Sequence, residues 1–279
     1  MKKILLVGNA ANIDTHAVDF ACYIAAITHS SLTGLLLQDE LLEKPVMKFT
    51  YGMPYIETIT AVDKPGYATL KNSINKTIDS FAGACSSKGI KSHVQLYDAE
   101  DAVAGVMEES RFADLMLVVP DTSFEKNEAE HPSHFVKEIL AGAECPVLVT
   151  PRDFTGIDEV VFAYDGSRSA VYAIKQFTYL FPELADKKLQ VLQVNEEADL
   201  LLTEKEKIAD LLKMHYSGIG FHVLHGKPSE ALLAYLRSRK NALVVMGAYG
   251  RGWLSELFIP SRAGALLKST PLPFFIAHH

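Results

Sequence analysis

Between Val244 and Ser261 the chain reads Val-Val-Met-Gly-Ala-Tyr-Gly-Arg-Gly-Trp-Leu-Ser-Glu-Leu-Phe-Ile-Pro-Ser, an apolar run that gives way to glycines, an arginine and a helix start. That succession suits a ligand carrying phosphate. Gly247, Gly250 and Gly252 let backbone N–H groups approach an anion with no Cβ in the way. Arg251 adds a forked cationic donor. Ser261 opens a helical pattern over 263–268, whose first amides and dipole favour negative charge. A second group, Tyr164-Asp165-Gly166-Ser167, ends the apolar run that begins at Glu159. An acid at the carboxyl end of a first parallel strand faces the crevice where open α/β sheets bind ligands. Asp and Ser before a helix also serve simply as its cap.

Other constellations carry less. Glu128, Glu130, His131 and His134 have metal-ligand chemistry, but their spacing matches no metal motif and reads as a solvated polar loop. His222 and His225 on a predicted strand point to opposite faces. Gly226-Lys227-Pro228-Ser229 has proline between its lysine and serine and Phe221 where a P-loop begins with glycine. Neither a Gly-x-Ser-x-Gly elbow nor a His-Glu-x-x-His helix occurs, so hydrolase chemistry has no signature. Trp253 fits packing against a crevice or a partner as well as stacking on a base.

The elements that would position these residues repeat. Asp114–Pro120 aligns with Asn241–Gly247, and Cys145–Val149 with Leu272–Ile276, both at an offset of 127. Short β-branched and leucine-rich runs alternate with amphipathic patterns throughout. In the first half they predict strands 3–7, 31–37, 90–97, 114–119 and 145–149, with helices 14–29, 68–87, 100–111 and 132–142. In the second they predict strands 159–164, 189–194, 219–225, 242–247 and 272–277, with helices 168–183, 203–216, 228–239 and 261–268. Strands buried on both faces by crossover helices make each half a five-stranded parallel α/β sandwich. The division falls near Pro151–Gly156, giving domains 1–152 and 153–279. The first half carries an extra stretch, about 38–67, with Pro45, Pro54, Pro65 and several aromatics, which reads as a packed insert or lid.

Composition narrows the function. A net charge of −7 with no dense Lys/Arg cluster argues against a nucleic-acid grip. No apolar run reaches the roughly 20 residues that span a bilayer. Three cysteines without Cys-x-x-Cys spacing point to a reducing, cytoplasmic setting.

Gly247, Gly250 and Ser261 keep the spacing of the phosphate loop of the universal stress protein family: Gly, two residues, Gly, nine residues, Gly, then Ser or Thr. Pro260 stands where the last glycine belongs, and proline offers no N–H and no positive φ. Tyr164-Asp165-Gly166-Ser167 resembles the family's strand-end acid and serine, and Gly226-Lys227-Pro228 its Gly-x-Pro before the third helix. The resemblance implies two tandem Rossmann-like domains of the adenine nucleotide alpha hydrolase type. It implies an adenine nucleotide, ATP foremost and with Mg, in the second domain. Asp165 and Ser167 would sit near the nucleotide, Gln193 and Val194 by the adenine, and Gly247, Gly250, Arg251, Gly252 and Ser261 under the ribose and phosphates.

At the same offset the first half has Pro120, Ser123, Ser133 and His134 in place of the loop residues, and Gly8-Asn9 in place of Asp165-Gly166. Residues 120–134 hold Asp121, Glu125, Glu128 and Glu130 against Lys126, a formal −3, whereas 247–261 hold Arg251 against Glu256. An acidic loop repels polyphosphate. This half therefore reads as a degenerate copy kept for packing, dimerisation or a different ligand. The family pairs domains through their last strands, which here allows pairing within one chain, with a homodimer also open. The expected role is a stress-response binding module with an unidentified protein partner. The alternatives are a partner-interaction module without nucleotide and, more weakly, a slow ATP hydrolase.

Overall fold

Alternating apolar runs and amphipathic stretches fold as strands and helices in a computed structural model, which describes residues 2–38, 43–50, 53–60, 66–98, 102–123, 132–197, 201–247 and 271–277. In chain order the elements are β1 Lys3–Asn9, α1 Thr15–Ile27, β2 Ser31–Gln38, β3 Glu43–Thr50, β4 Met53–Thr60, α2 Tyr67–Ser87, β5 Ser92–Asp98, α3 Ala102–Ser110, β6 Leu115–Val118, α4 His134–Gly142 and β7 Val147–Val149. There follow β8 Glu159–Ala163, α5 Arg168–Leu180, β9 Lys188–Asn195, α6 Lys205–Lys213, β10 Ile219–His225, α7 Pro228–Arg237, β11 Ala242–Gly247 and β12 Phe274–Ala277. The pattern predicted over 168–183 stops at Leu180, because Phe181 leaves the helical region (φ −125°, ψ 52°) and Pro182 cannot continue the hydrogen-bond ladder.

Ten strands form one sheet in the order β10-β9-β8-β11-β12-β7-β6-β1-β2-β5. Each quintet has the same internal order, third-second-first-fourth-fifth, with parallel pairing throughout. The quintets meet through their last strands: β12 pairs antiparallel with β7, Phe274 opposite Val149 and Ile276 opposite Val147. The intrachain pairing allowed by the sequence is thus present.

Helices cover both faces, which is why the inner strands are buried along nearly their whole length. On one face α1, α2, α5 and α6 contribute Phe20, Phe81, Phe177 and Leu212 to a core that also contains Phe275. On the other, α3, α4 and α7 contribute Val106, Ile139 and Leu236. Gly34 of β2 lets α2 sit close, since a Cβ there would lie 3.3 Å from the Phe81 ring. No described helix is long and apolar enough to cross a membrane.

Pairing corrects the repeat alignment. Val147 and Phe274 are equivalent at the offset of 127, but their neighbours Met116 and Val244 differ by 128. Through Leu115 and Leu243, Ile4 then corresponds to Val160, a first-strand offset of 156. Val119, not Pro120, therefore takes the place of Gly247, and Asn9, not Gly8, takes that of Asp165. A run that is apolar on both faces aligns equally well in either register. Only ladder partners and the face each side chain occupies resolve the one-residue slip.

The insert at 38–67 contains a hairpin. β3 and β4 pair antiparallel from Glu43 opposite Thr60 to Thr50 opposite Met53, as a sheet separate from the ten strands. Pro45 and Pro54 lie inside these strands and masked the strand signal, since proline removes a ladder donor.

Candidate functional site

In the order third-second-first-fourth-fifth, the connections leave the first and fourth strands in opposite directions, and a crevice opens at their carboxyl ends. In the second quintet this point lies between β8 and β11. Asp165, two residues beyond β8, is half-buried, and its Oδ1 accepts from the Ser167 N–H at 2.9 Å. Its Oδ2 has no partner among the described residues. Ser167 caps α5, its Oγ accepting from the Ala170 N–H at 3.1 Å. The cap role and the strand-end acid thus fall on two separate residues. Tyr164 is fully buried, and its hydroxyl is pushed above its ordinary pKa by burial, then by the Glu204 and Asp165 charges.

Gly166 is required here. Its φ is +77°, and a Cβ would stand 2.9 Å from Thr203 Cγ2. Thr203 belongs to the connection between β9 and α6, which the buried Gln193 holds in place. Gln193 Oε1 accepts from the Thr203 N–H at 2.9 Å, and its Nε2 donates to Thr203 Oγ1 at 3.1 Å and to Asn195 Oδ1 at 2.6 Å. The structure therefore places Gln193 as a strut under the crevice wall. Val194 packs in the core beneath α7. Sequence reasoning missed Thr203 and Asn195; the one signal available was the Asp-Gly pair, which marks a tight left-handed turn needing a neighbour.

Gly247 ends β11 against the first turn of α5. A Cβ on it would lie 2.4 Å from the Ser169 carbonyl carbon and 2.6 Å from the Ala170 nitrogen. Its missing side chain is thus filled by helix backbone, a close helix–strand contact. Gly250, Arg251, Gly252, Pro260, Ser261, Trp253 and the predicted helix 261–268 lie outside the described residues.

The equivalent crevice of the first quintet, between β1 and β6, is a cavity of about 550 Å³ lined by Gly8, Asn9, Asn12, Asp14, Asp121 and Thr122 among others. Asn9 Oδ1 accepts from the Ala11 N–H at 2.8 Å, as Asp165 does from Ser167. Asp121 pairs with Arg152 at 3.3 Å. Here α1 begins six residues after Asn9, whereas α5 begins three after Asp165. Val119 stands where Gly247 admits a helix. Ser133 caps α4 through the Val136 N–H and donates to the Thr122 carbonyl. Glu125, Lys126, Glu128, Glu130 and His131 lie outside the described residues, and His134 pairs with Glu138 at 3.7 Å.

Residues 163–278 match the model of the universal stress protein family. The second half of the chain thus carries a universal stress protein domain. A universal stress protein of Synechocystis is 32% identical over 143 residues, a stretch covering 50% of this chain and 48% of that protein. The chain thus spans about half the length of this curated relative. A universal stress protein from Archaeoglobus fulgidus has a crystal structure that superposes with a TM-score of 0.66 at 15% identity, covering 99% of this chain and 98% of that one. A functionally unknown protein from Pseudomonas aeruginosa superposes at 0.58 and 15% identity, covering 100% and 92%. At such identity the likeness is one of fold, and it extends over both quintets. The stretch matched to the universal stress protein family runs from Ala163 past β12, so it contains Asp165, Ser167, Gln193, Gly247 and the glycine-rich loop.

Proposed function

We propose that the chain is a tandem of two universal stress protein-like repeats, 1–152 and 153–279, and that the second binds an adenine nucleotide, ATP foremost, as a cytoplasmic stress-response module. The observation that carries this reading is Asp165: a half-buried carboxylate at the switch point, one oxygen spent on Ser167, the other without a partner among the described residues. A carboxylate only accepts hydrogen bonds, so it suits ribose hydroxyls or an exocyclic amine and repels phosphate. The phosphates, with any Mg, then belong over Gly250, Arg251, Gly252 and Ser261. Gln193 would act indirectly, by fixing the wall at Thr203, and Val194 would contribute only backbone at the end of β9.

Calorimetry on the full chain tests this. One ATP per chain is expected, with binding weakened at least tenfold by Asp165→Ala and unaffected by Asn9→Ala. Two sites, or none at millimolar ATP, would overturn it. A second reading, a partner-interaction module without nucleotide, is favoured by Pro260, which removes one phosphate-facing N–H from the loop. Binding strong enough to copurify ATP would count against that alternative.

A further inference from the structure

Where α1 and α2 pack together on the first quintet, two thiols face each other. Cys22 Sγ and Cys85 Sγ are 3.8 Å apart, and both side chains are fully buried. A disulfide requires about 2.05 Å between the sulfurs, so forming one draws the two sulfurs about 1.8 Å closer. The helices are already tied at this point, since Lys88 reaches from the end of α2 to Asp19 of α1 at 2.7 Å. A cavity of about 340 Å³ lies at the carboxyl ends of both helices, lined by Ala25, Ala26, Lys88 and Ile90 among others. Ala25 and Ala26 are one turn beyond Cys22, and Lys88 one turn beyond Cys85. The third thiol, Cys145, belongs to the core on the opposite face of the sheet.

We propose that Cys22 and Cys85 form a reversible dithiol–disulfide pair, a redox modification site that small hydroperoxides oxidise. The Cys85 thiolate attacks one oxygen of hydrogen peroxide, breaks the O–O bond and becomes a sulfenic acid as hydroxide leaves and takes up the thiol proton as water. Cys22 sulfur then attacks the sulfenyl sulfur, the S–S bond forms, and the S–OH oxygen leaves as a second water. Two thiols lose two electrons in all, and one peroxide is reduced to two waters.

The local chemistry favours Cys85 as the first nucleophile. The Cys22 thiol bonding to it brings its pKa down to about 7 against the upward push of burial, with Ser92 and the Lys88 charge assisting. Cys22 is raised in turn by the same bond and by burial. Cys145 is pushed up to about 12 by burial, which makes it a built-in control. The bond would close the loop from residue 22 to residue 85, fastening α2 to α1 and enclosing β2 and the β3–β4 hairpin.

The test is peptide mass spectrometry on the native full chain, exposed to excess hydrogen peroxide and then alkylated. The expected result is a loss of about 2 Da, a linked peptide pair containing Cys22 and Cys85, an alkylated Cys145, and reversal by dithiothreitol. Cys22→Ser should instead leave a dimedone-trappable sulfenic acid at Cys85. Full alkylation of both thiols after exposure, faster oxidation of Cys145, or a link formed only between chains or only in urea would overturn the proposal. Because the linked pair is read on the unsubstituted protein, a poorly folding variant does not obscure the outcome.

Discussion

Replacing Gly247 by alanine separates two roles that one glycine can play. If it is needed only for close approach of an anion, Gly247→Ala should weaken nucleotide binding and leave stability untouched. The structure gives a different expectation. The new Cβ would stand 2.4 Å from the Ser169 carbonyl carbon, whereas ordinary contact begins at 3.4 Å, so β11 and the first turn of α5 must part by about 1 Å. Overpacking of this kind costs about 1–3 kcal/mol, which in a chain this size lowers Tm by about 2–4 °C per kcal/mol. The colliding atoms include backbone, so Ser169→Gly should not rescue the variant. Urea denaturation should show a lower midpoint with an unchanged m-value, and ATP affinity should fall as well, because α5 carries the Ser167 cap beside Asp165. A Gly247→Ala protein with wild-type midpoint and Tm would refute this packing account.

Pro260→Gly should restore an N–H donor and tighten ATP binding by about 0.5–1.5 kcal/mol, the net worth of one hydrogen bond; calorimetry giving unchanged or weaker binding would show that the loop follows another course. Gln193→Leu removes two hydrogen bonds to Thr203 in the β9–α6 connection and a third to Asn195 of β9, and should cost about 1–3 kcal/mol, with faster amide exchange at Thr203 as the local readout; continued protection there would contradict the strut role. Glu109 feels burial raising its carboxyl, but Lys3 at 3.0 Å and Tyr97 at 2.9 Å outweigh this and hold it below its ordinary value. A lowered folded pKa stabilises fully above the unfolded value, about 4.3, and that gain is lost as pH falls through the folded value. Glu109→Gln should therefore be less stable than wild type at pH 7 and converge with it in acid, and an equal deficit at both pH values would count against the pairing.

Strands were legible because each is a short run of β-branched residues and leucine, buried on both faces, between stretches of helical period. The same property concealed their register. Leu115-Met-Leu-Val118 is apolar at every position, so no alternation marks which residue faces α1 and which faces α4. Asp165 was legible as a strand-end acid, but the division of labour with Ser167 depends on backbone geometry that Asp and Ser share as cap formers. Gln193 was placed near the ligand because it ends a strand beside the crevice. That its amide is consumed by Thr203 and Asn195 depends on a connection whose folded path leaves no trace in local spacing. The hairpin of 43–60 was hidden by Pro45 and Pro54, which read as loop punctuation.

The antiparallel joint between β7 and β12 also bears on how the two crevices relate. In a continuous sheet an antiparallel pair reverses strand direction, so the carboxyl ends of the first quintet point one way and those of the second the other. The β1/β6 cavity and the β8/β11 site therefore lie at opposite ends of the sheet. No single small ligand bridges them, and the acidic residues of the first crevice exert no close repulsion on a nucleotide in the second. The shared structure between them is the core beneath the joint, where Phe177 of α5 stacks edge-on against Phe275 of β12 at 5.3 Å. Lys2 of the first half also donates to the Leu180 carbonyl at the end of α5. Helix α5 thus begins just after Asp165, capped by Ser167, and ends against Lys2 of the first half, so it touches both the proposed nucleotide site and the other repeat. The two halves are therefore joined twice, by the β7–β12 ladder and by the end of α5 on Lys2.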